Sequence, residues 1–232
     1  MKKIYYYIGL IFLISMLPIN QGIDREKENQ DYFLAENIIS EEKEEKEELK
    51  INNMYLPDEN SSPRTKEITH VVLHFMSNVS NNYQDPYNIE DIYSIFVDYE
   101  VSAHYVIGRD GEIYSMVPED RIAYHAGKGS LEKFPEYDNK MNDYSIGIEL
   151  LAIGTKEEML PMISPDQYDL VDSSLIGYTD EQYESLNKLL DKILEENPSI
   201  IRDRDHIIGH DEYAKGVKTD PGILFDWEKI GL

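Results

Sequence analysis

Residues 68–75 read ITHVVLHF, and this stretch is the first indication of the fold class. Its β-branched residues and near-alternation of apolar and polar positions predict a β-strand. The apolar run SIGIELLAI (145–153) predicts a buried central strand, and HIIGH (206–210) predicts a short strand that runs into a loop. Three strands far apart in the chain require intervening elements to connect them.

The intervening segments predict helices and one hairpin. NIEDIYSIFVDY (88–99) opens with a capping Asn and continues with apolar residues at helical spacing. AHYVIGRDGEIYSMV (103–117) contains two apolar runs around an Asp-Gly pair, which predicts a hairpin. A longer helix is predicted to begin after Thr179 and to end before Pro198. This order predicts an α/β fold with a central mixed β-sheet flanked by helices.

Charge and cysteine content restrict the function. The net charge is -24, and most of it lies in residues 51–232, so phosphate backbones are repelled and we expect no nucleic-acid partner. The chain contains no Cys, so a metal site must use His, Asp or Glu. We expect a monomer.

The N-terminus suggests export. Met1, Lys2 and Lys3 precede the apolar run IYYYIGLIFLISMLPI, which has the order of a secretory signal, although an uncleaved membrane anchor stays open. We therefore predict a signal peptide or anchor over 1–20 and a secreted or cell-envelope location. The domain prediction continues with an acidic charged linker over 21–50 and a catalytic domain over 51–232.

Two histidines and an aspartate could share a metal ion. His74 ends the first predicted strand, His210 ends the last, and Asp220 lies in a Lys-Thr-Asp-Pro-Gly turn. Strand ends are where α/β sheets present functional groups, and two imidazoles with one carboxylate suit Zn²⁺ while leaving a position for water. On residue types alone, ordinary polar roles for these residues stay open.

Several sequence blocks, in order, carry a family resemblance. They resemble the type 2 N-acetylmuramoyl-L-alanine amidases, relatives of the peptidoglycan recognition proteins and of phage lysozymes that are amidases. The blocks cover roughly residues 65–230 and are VVLHFMS (71–77), VSAHYVIGRDGEIYSMVPEDRIAYHAG (101–127), NDYSIGIEL (142–150), IIGHDEYAKGVKTDPG (207–222) and LFDW (224–227).

The resemblance implies the peptidoglycan-recognition/amidase fold, with a zinc site at the strand ends and specific residue roles. Glu149 is implied as the general base and Lys218 as a stabiliser of the oxyanion that forms on the amide carbonyl. A charged Glu in an apolar strand also favours a metal-proximal role over packing. The implied zinc ligands are His74, His210 and Asp220.

The remaining histidines are assigned less specific roles. The resemblance places His125 at the substrate groove, and it leaves His104 undecided between substrate and backbone contacts. His70 and His206 are expected to be structural or exposed. Ala103 stands where the phage and recognition-protein branch has a catalytic Tyr, so no Tyr acts at that point.

The resemblance implies a zinc hydrolase acting on peptidoglycan muropeptides. The bond it implies is the amide between N-acetylmuramic acid and the L-alanine of the stem peptide. Two alternatives stay open: a non-catalytic peptidoglycan-binding module of the same fold, and a zinc peptidase acting on stem peptides. A membrane contact is expected only through an uncleaved N-terminal segment.

Overall fold

A mixed β-sheet organises residues 49–232, which are the part of the chain described by the computed structural model. The predictions for residues 1–20 and for 21–48 lie outside the described residues, so the division into domains stays a prediction. The strands are β1 (Ile51–Asn53), β2 (Ser61–Pro63), β3 (His70–Met76), β4 (Tyr105–Ile107), β5 (Ile113–Ser115), β6 (Arg121–Ala123), β7 (Ser145–Leu151) and β8 (Ile207–Gly209).

Two long helices and several single turns accompany these strands. The α-helices are α1 (Ile89–Tyr99), α2 (Met141–Tyr144), α3 (Lys156–Met159), α4 (Pro165–Tyr168), α5 (Asp180–Glu196) and α6 (His210–Tyr213). Short 3-10 turns cover Asp58–Asn60, Pro135–Tyr137, Ser173–Leu175 and Trp227–Ile230.

Within the described residues the main sheet has six strands in the order β1-β5-β4-β7-β3-β8. The β4–β5 pair is antiparallel, whereas β4, β7, β3 and β8 are mutually parallel, so the sheet is mixed as the sequence predicts. Strands β2 and β6 form a separate antiparallel pair. The hairpin turns at Gly111, whose φ of 82° lies in the left-handed region that glycine tolerates.

Side-chain caps begin both long helices where the sequence predicts them. The side chain of Asn88 accepts a hydrogen bond from the backbone N–H of Asp91 at 3.1 Å, and α1 starts at the next residue. At α5, Thr179 Oγ1 accepts from Gln182 N at 3.1 Å, and Gln182 Oε1 accepts from Thr179 N at 3.0 Å. This reciprocal pair satisfies two backbone donors that the first turn would otherwise leave unpaired.

Alternation along β3 and β7 gives the sheet one apolar face. The long helix α5 covers this face through Leu186, Leu189 and Ile193. The sheet residues that α5 meets are all fully buried, and they are Val71, Leu73, Ile146, Ile148 and Leu150. Because successive strand residues point to opposite faces, the residues between them point the other way.

The opposite face carries the polar residues of β3 and β7. One apolar cluster on it forms around Ile92 and Phe96 of α1. A second forms around Val72, with Met141 and Tyr213 packed on it. His74 and the other polar residues of this face belong to strands that also contribute residues to these two clusters.

The last strand is shorter than its predicted range. Strand β8 ends at Gly209, and His210 is the first residue of α6 rather than the end of the strand. Glu212 explains the turn, because its side chain accepts a hydrogen bond from Gly209 N at 2.7 Å and so begins the helix.

Candidate metal centre

The register of three parallel strands brings distant residues together. His74 of β3 is paired with Glu149 of β7, and Leu73 is paired with Gly209 of β8. Gly209, the residue before His210, therefore lies directly beside Leu73, the residue before His74. Neighbouring strands are about 4.8 Å apart, which places all three side chains in one locality.

Three side-chain atoms converge at this point. His74 Nδ1 and His210 Nδ1 are 3.0 Å apart, and Asp220 Oδ2 lies 2.8 Å from the first and 2.9 Å from the second. Within residues 49–232 this is the one group of three or more His, Asp or Glu side chains arranged to hold a metal ion. The predicted ligand set is thus brought together.

The outer nitrogen of His210 supports this reading. His210 Nε2 lies 3.0 Å from the carbonyl oxygen of Ala126, which can only accept, so Nε2 carries the hydrogen. A neutral ring then keeps its lone pair on Nδ1, the nitrogen that faces Asp220. Metal-binding histidines usually have such a partner on the outer nitrogen, so the donor set fits a zinc ion.

Burial and mutual contact depress the basicity of the cluster. Burial is the main cause that lowers the pKa of His74 to about 4, and the neighbouring His210 adds to it. Burial alone would raise the pKa of Asp220, but the close contacts with the His210 and His74 imidazoles outweigh it and hold the pKa well below its usual range. Asp220 is therefore a carboxylate and His74 a neutral imidazole at neutral pH, as metal ligands must be.

Glu149 is a half-buried residue beside this cluster. Its Oε2 atom is shielded from solvent and has no hydrogen-bond partner among the described residues. Burial, and then the negative charge of Asp220, raise the pKa of Glu149 well above its ordinary value, while the charge of Lys218 opposes the rise. A carboxyl group whose pKa is raised in this way holds a proton more readily than an ordinary Glu and can exchange it with a reacting group.

Lys218 is exposed and lies on the loop that leads to Asp220. The backbone N–H of Lys218 donates to Ala214 O at 3.0 Å, which fixes the start of this loop. Its charge lowers the pKa of both Glu149 and His74, so it acts electrostatically on the centre.

His125 contacts the cluster from outside. Its Nδ1 lies 3.1 Å from His74 Nε2, and its Nε2 lies 3.2 Å from Ser145 Oγ. Ser145 in turn donates to Met141 O at 2.6 Å. The ring rests against Gly147, where a Cβ atom would lie 2.6 Å from His125 Cδ2, so this strand position accepts only glycine without displacement.

One asparagine holds the segment that carries these outer contacts. The side-chain oxygen of Asn142 accepts hydrogen bonds from His125 N at 3.1 Å and from Ala126 N at 2.8 Å. His125 contacts His74 and the carbonyl of Ala126 contacts His210, so Asn142 supports the surroundings of both imidazoles.

The structure gives His104 a structural position. It is fully buried, its Nδ1 accepts from Gly147 N at 3.0 Å, and its Nε2 lies 3.1 Å from Arg121 O. The Arg64 guanidinium contacts the same ring and donates to Asp143 O at 2.7 Å and Ser145 O at 2.9 Å. Burial, followed by the Arg64 charge, lowers the pKa of His104 to about 3.

His70 and His206 form a pair away from the three ligands. Their rings stack with centroids 5.4 Å apart, and His70 also meets the edges of Phe134 and Tyr137. His206 Nδ1 lies 2.7 Å from Asp203 Oδ1, and this hydrogen bond gives His206 a structural role.

The family comparison agrees with this geometry. The N-acetylmuramoyl-L-alanine amidase family matches residues 64–223, which is more than half of the chain and includes all three candidate ligand positions. This chain belongs to the N-acetylmuramoyl-L-alanine amidase family. The family and the fold predicted from the sequence are both confirmed.

Curated relatives of this amidase-family chain carry one name, 1,6-anhydro-N-acetylmuramyl-L-alanine amidase AmpD. The protein from Haemophilus influenzae is 30% identical over 184 residues, covering 75% of this chain and 86% of the relative. The protein from Salmonella typhimurium is 36% identical over 130 residues, covering 56% of this chain and 55% of the relative. The chain thus spans about half the length of several curated relatives that it matches.

Solved structures agree on the fold. A selenomethionine AmpD crystal structure superposes with a TM-score of 0.53 at 26% identity, covering 78% of this chain and 92% of that one. Escherichia coli AmiD, solved with anhydro-N-acetylmuramic acid-L-Ala-D-gamma-Glu-L-Lys, has a TM-score of 0.52 at 22% identity over 73% of this chain and 59% of that one.

The relatives contradict the predicted location. The prediction of a secreted or cell-envelope location is wrong, because the AmpD amidases that this chain resembles are not secreted enzymes. The signal peptide or anchor predicted over 1–20 lies outside the described residues and stays a prediction. The prediction depended on a short apolar run after two lysines, without a cleavage site, and composition of this kind identifies a signal only weakly. In residues 49–232, no helix combines the length and apolar character needed to cross a membrane.

Sequence reasoning missed the residues that support the candidate ligands. Asn142 and Ser145 lie inside a block that the resemblance identified, but nothing in their type distinguishes them from surface polar residues. Gly147 carried a usable signal, because a glycine inside an apolar strand indicates close approach of another group. That group is the His125 ring.

Proposed function

We propose that this chain is a zinc-dependent amidase that hydrolyses the bond between N-acetylmuramic acid and the L-alanine of a stem peptide. The observation that carries the proposal is the convergence of His74, His210 and Asp220 donor atoms within 3.0 Å, beside the solvent-shielded Oε2 of Glu149. The family membership supports the amide as the bond that is cut.

The proposed metal ligands are His74, His210 and Asp220. A zinc ion bound there would polarise the amide carbonyl and make water a better nucleophile at neutral pH. The Nδ1 atoms of His74 and His210 already face the same carboxylate oxygen of Asp220.

Glu149 is proposed as the acid–base residue. Its unpartnered Oε2 can take a proton from the attacking water and return it to the departing amine nitrogen. The charge of Asp220 raises the pKa of Glu149 and the charge of Lys218 lowers it, so these two groups together set the balance between the protonated and the ionised carboxyl group.

Lys218 and His125 are proposed to act on the substrate. The Lys218 ammonium would stabilise the negative charge that develops on the carbonyl oxygen. The His125 ring is partly exposed and borders the centre, which supports contact with the muramyl part of the substrate.

The names of the relatives support soluble muropeptides as substrates. Both the AmpD proteins and the AmiD complex refer to an anhydro-muramyl group linked to L-alanine. We therefore propose muropeptides of this class, with 1,6-anhydro or ordinary N-acetylmuramic acid, as the partner of this chain.

Digestion of a defined muropeptide tests the proposal. Purified chain is incubated with anhydro-muramyl-L-Ala-γ-D-Glu-L-Lys and, separately, with isolated sacculi, with and without chelator, and the products are analysed by mass spectrometry. The expected products are free anhydro-muramic acid and a peptide with an L-alanine amino terminus, in the sample without chelator. Cuts within the peptide would support a zinc peptidase instead. Binding without any cleavage would support a recognition module.

Matched variants test the individual roles. Glu149→Gln keeps the shape but removes proton exchange, so zinc content should be unchanged while kcat falls by about 10²–10⁴. Lys218→Met should lower kcat by about 10²-fold, whereas Lys215→Met, an exposed Lys on the same loop, should not.

Two further measurements test the remaining assignments. His125→Gln should raise KM more than it lowers kcat if the ring contacts substrate, and a loss of zinc instead would contradict that role. The monomeric state stays a prediction, which analytical ultracentrifugation of the purified chain would test.

A further inference from the structure

The loop that carries Asp220 is tied to a distant helical turn. The backbone N–H of Ile223 donates to Glu158 Oε1 at 2.7 Å, and Thr219 Oγ1 donates to the backbone oxygen of Glu158 at 3.3 Å. Asp220 lies between these two attachment points. A single residue of α3 therefore holds the loop on both sides of the proposed ligand.

The Glu158 carboxylate is itself fixed by its own helix. Its Oε2 accepts from Thr155 N at 2.7 Å and from Thr155 Oγ1 at 2.9 Å, which completes the capping box of α3. Only Oε1 is then directed at the loop. A carboxylate held in this way has little rotational freedom left to lose when it bonds Ile223 N, and such charge-assisted bonds are among the stronger ones.

The fit between loop and carboxylate is close. Gly222 has a φ of 75°, and a Cβ atom there would lie 2.8 Å from Glu158 Cδ, so the backbone approaches the carboxylate directly. Tyr178 adds a third attachment, because its hydroxyl donates to Pro221 O at 2.6 Å. Residues 155–178 thus form one side of the support for the Asp220 loop.

We propose that Glu158 is a positioning residue for the metal centre, which acts by holding Asp220 at the two histidines. This inference rests on the proposed zinc site. Asp220 Oδ2 must stay within about 3 Å of two imidazole nitrogens, and the loop supplies no helix or strand of its own to keep it there. Substitution of residues that orient metal ligands typically costs 10- to 100-fold in metal affinity.

A purely structural role makes a different prediction. If Glu158 only attaches two surface segments, its loss lowers the stability of the metal-free protein and leaves zinc affinity unchanged. If it positions Asp220, its loss weakens zinc binding by more than its effect on the metal-free protein. The two quantities can be measured separately.

Zinc competition with a fluorescent chelator tests the inference on the full chain. Glu158→Ala should raise the zinc Kd by about 10- to 100-fold. The matched control is Glu157→Ala, because Glu157 is the neighbouring, exposed glutamate of the same helix and should keep Kd within about twofold. Glu158→Gln should fall between wild type and Glu158→Ala, because an amide oxygen can still accept from Ile223 N.

Folding is monitored by thermal melting in excess chelator. Should Glu158→Ala fail to fold, Glu158→Gln keeps the side-chain shape, weakens the bond to Ile223 N and is expected to raise the zinc Kd in the same direction. An unchanged Kd in the folded Glu158 variant would overturn the inference while leaving the proposed function intact. A wild-type chain that binds no zinc would instead overturn the proposed function, and this inference with it.

Discussion

His70 should make the fold sensitive to acid. It is 1% exposed, its Nδ1 lies 2.8 Å from Thr69 Oγ1, and its Nε2 has no hydrogen-bond partner among the described residues. Burial is the main cause that lowers its pKa from 6.5 to about 4, and His206 adds to the effect. The His70 side chain is therefore harder to protonate in the folded protein than in the unfolded chain.

The sign and size follow from this difference. Because the folded pKa lies below the unfolded one, the stability is fully present above pH 6.5 and is lost as the pH falls towards 4. The complete loss corresponds to about 3 kcal/mol, and about 2 kcal/mol should already be lost at pH 5.

The His70→Phe variant tests this reasoning. A phenyl ring keeps the edge contacts to Phe134 and Tyr137 but cannot bind a proton. Urea unfolding in excess chelator between pH 7.5 and 4.5 should show the variant losing about 2 kcal/mol less than wild type by pH 5. Groups other than its stacked neighbour His206 titrate equally in both proteins, so they cancel in the comparison. Parallel pH profiles for the two proteins would refute the argument.

Two further substitutions test packing and capping. Gly147→Ala should displace the His125 ring and cost about 1–3 kcal/mol in urea unfolding, with a shifted His125 imidazole signal in NMR spectra; an unshifted signal would contradict the contact. Thr179→Ala removes the cap of α5, including the 2.7 Å hydrogen bond to Arg109 O, and should lower the free energy of unfolding by about 1 kcal/mol; an unchanged urea midpoint would show that the cap is dispensable.

The sequence could predict the elements with a long, regular pattern. Strands β3 and β7 have seven residues each, and α5 has seventeen with a complete capping box, so each presents a repeated local signal. Strands β1, β2 and β6 have three residues each, which is too short for any period to emerge. They exist because neighbouring strands supply hydrogen-bond partners, and this tertiary cause is invisible in sequence.

The candidate site divides in a similar way. His74, His210 and Asp220 were predicted from strand ends and from blocks of family resemblance, and the register of β3, β7 and β8 explains why two of them meet. Glu158 lies in a run of charged residues that is typical of a solvated segment. Its contact with Ile223 spans 65 positions and depends on how two loops pack, so residue type alone could not indicate it.

The position of β3 between β7 and β8 has a consequence for how the chain folds. Its partners are β7, which begins at Ser145, and β8, which begins at Ile207, so β3 (from His70) pairs with segments that are synthesised much later. Parallel pairing across such separations closes large loops and is slow compared with local contacts. During synthesis one edge of β3 stays open until Gly209 has emerged, and chains truncated before that point should aggregate through this edge. The proposed metal centre would therefore assemble late in folding, and a bound zinc ion would stabilise only chains whose sheet is already complete.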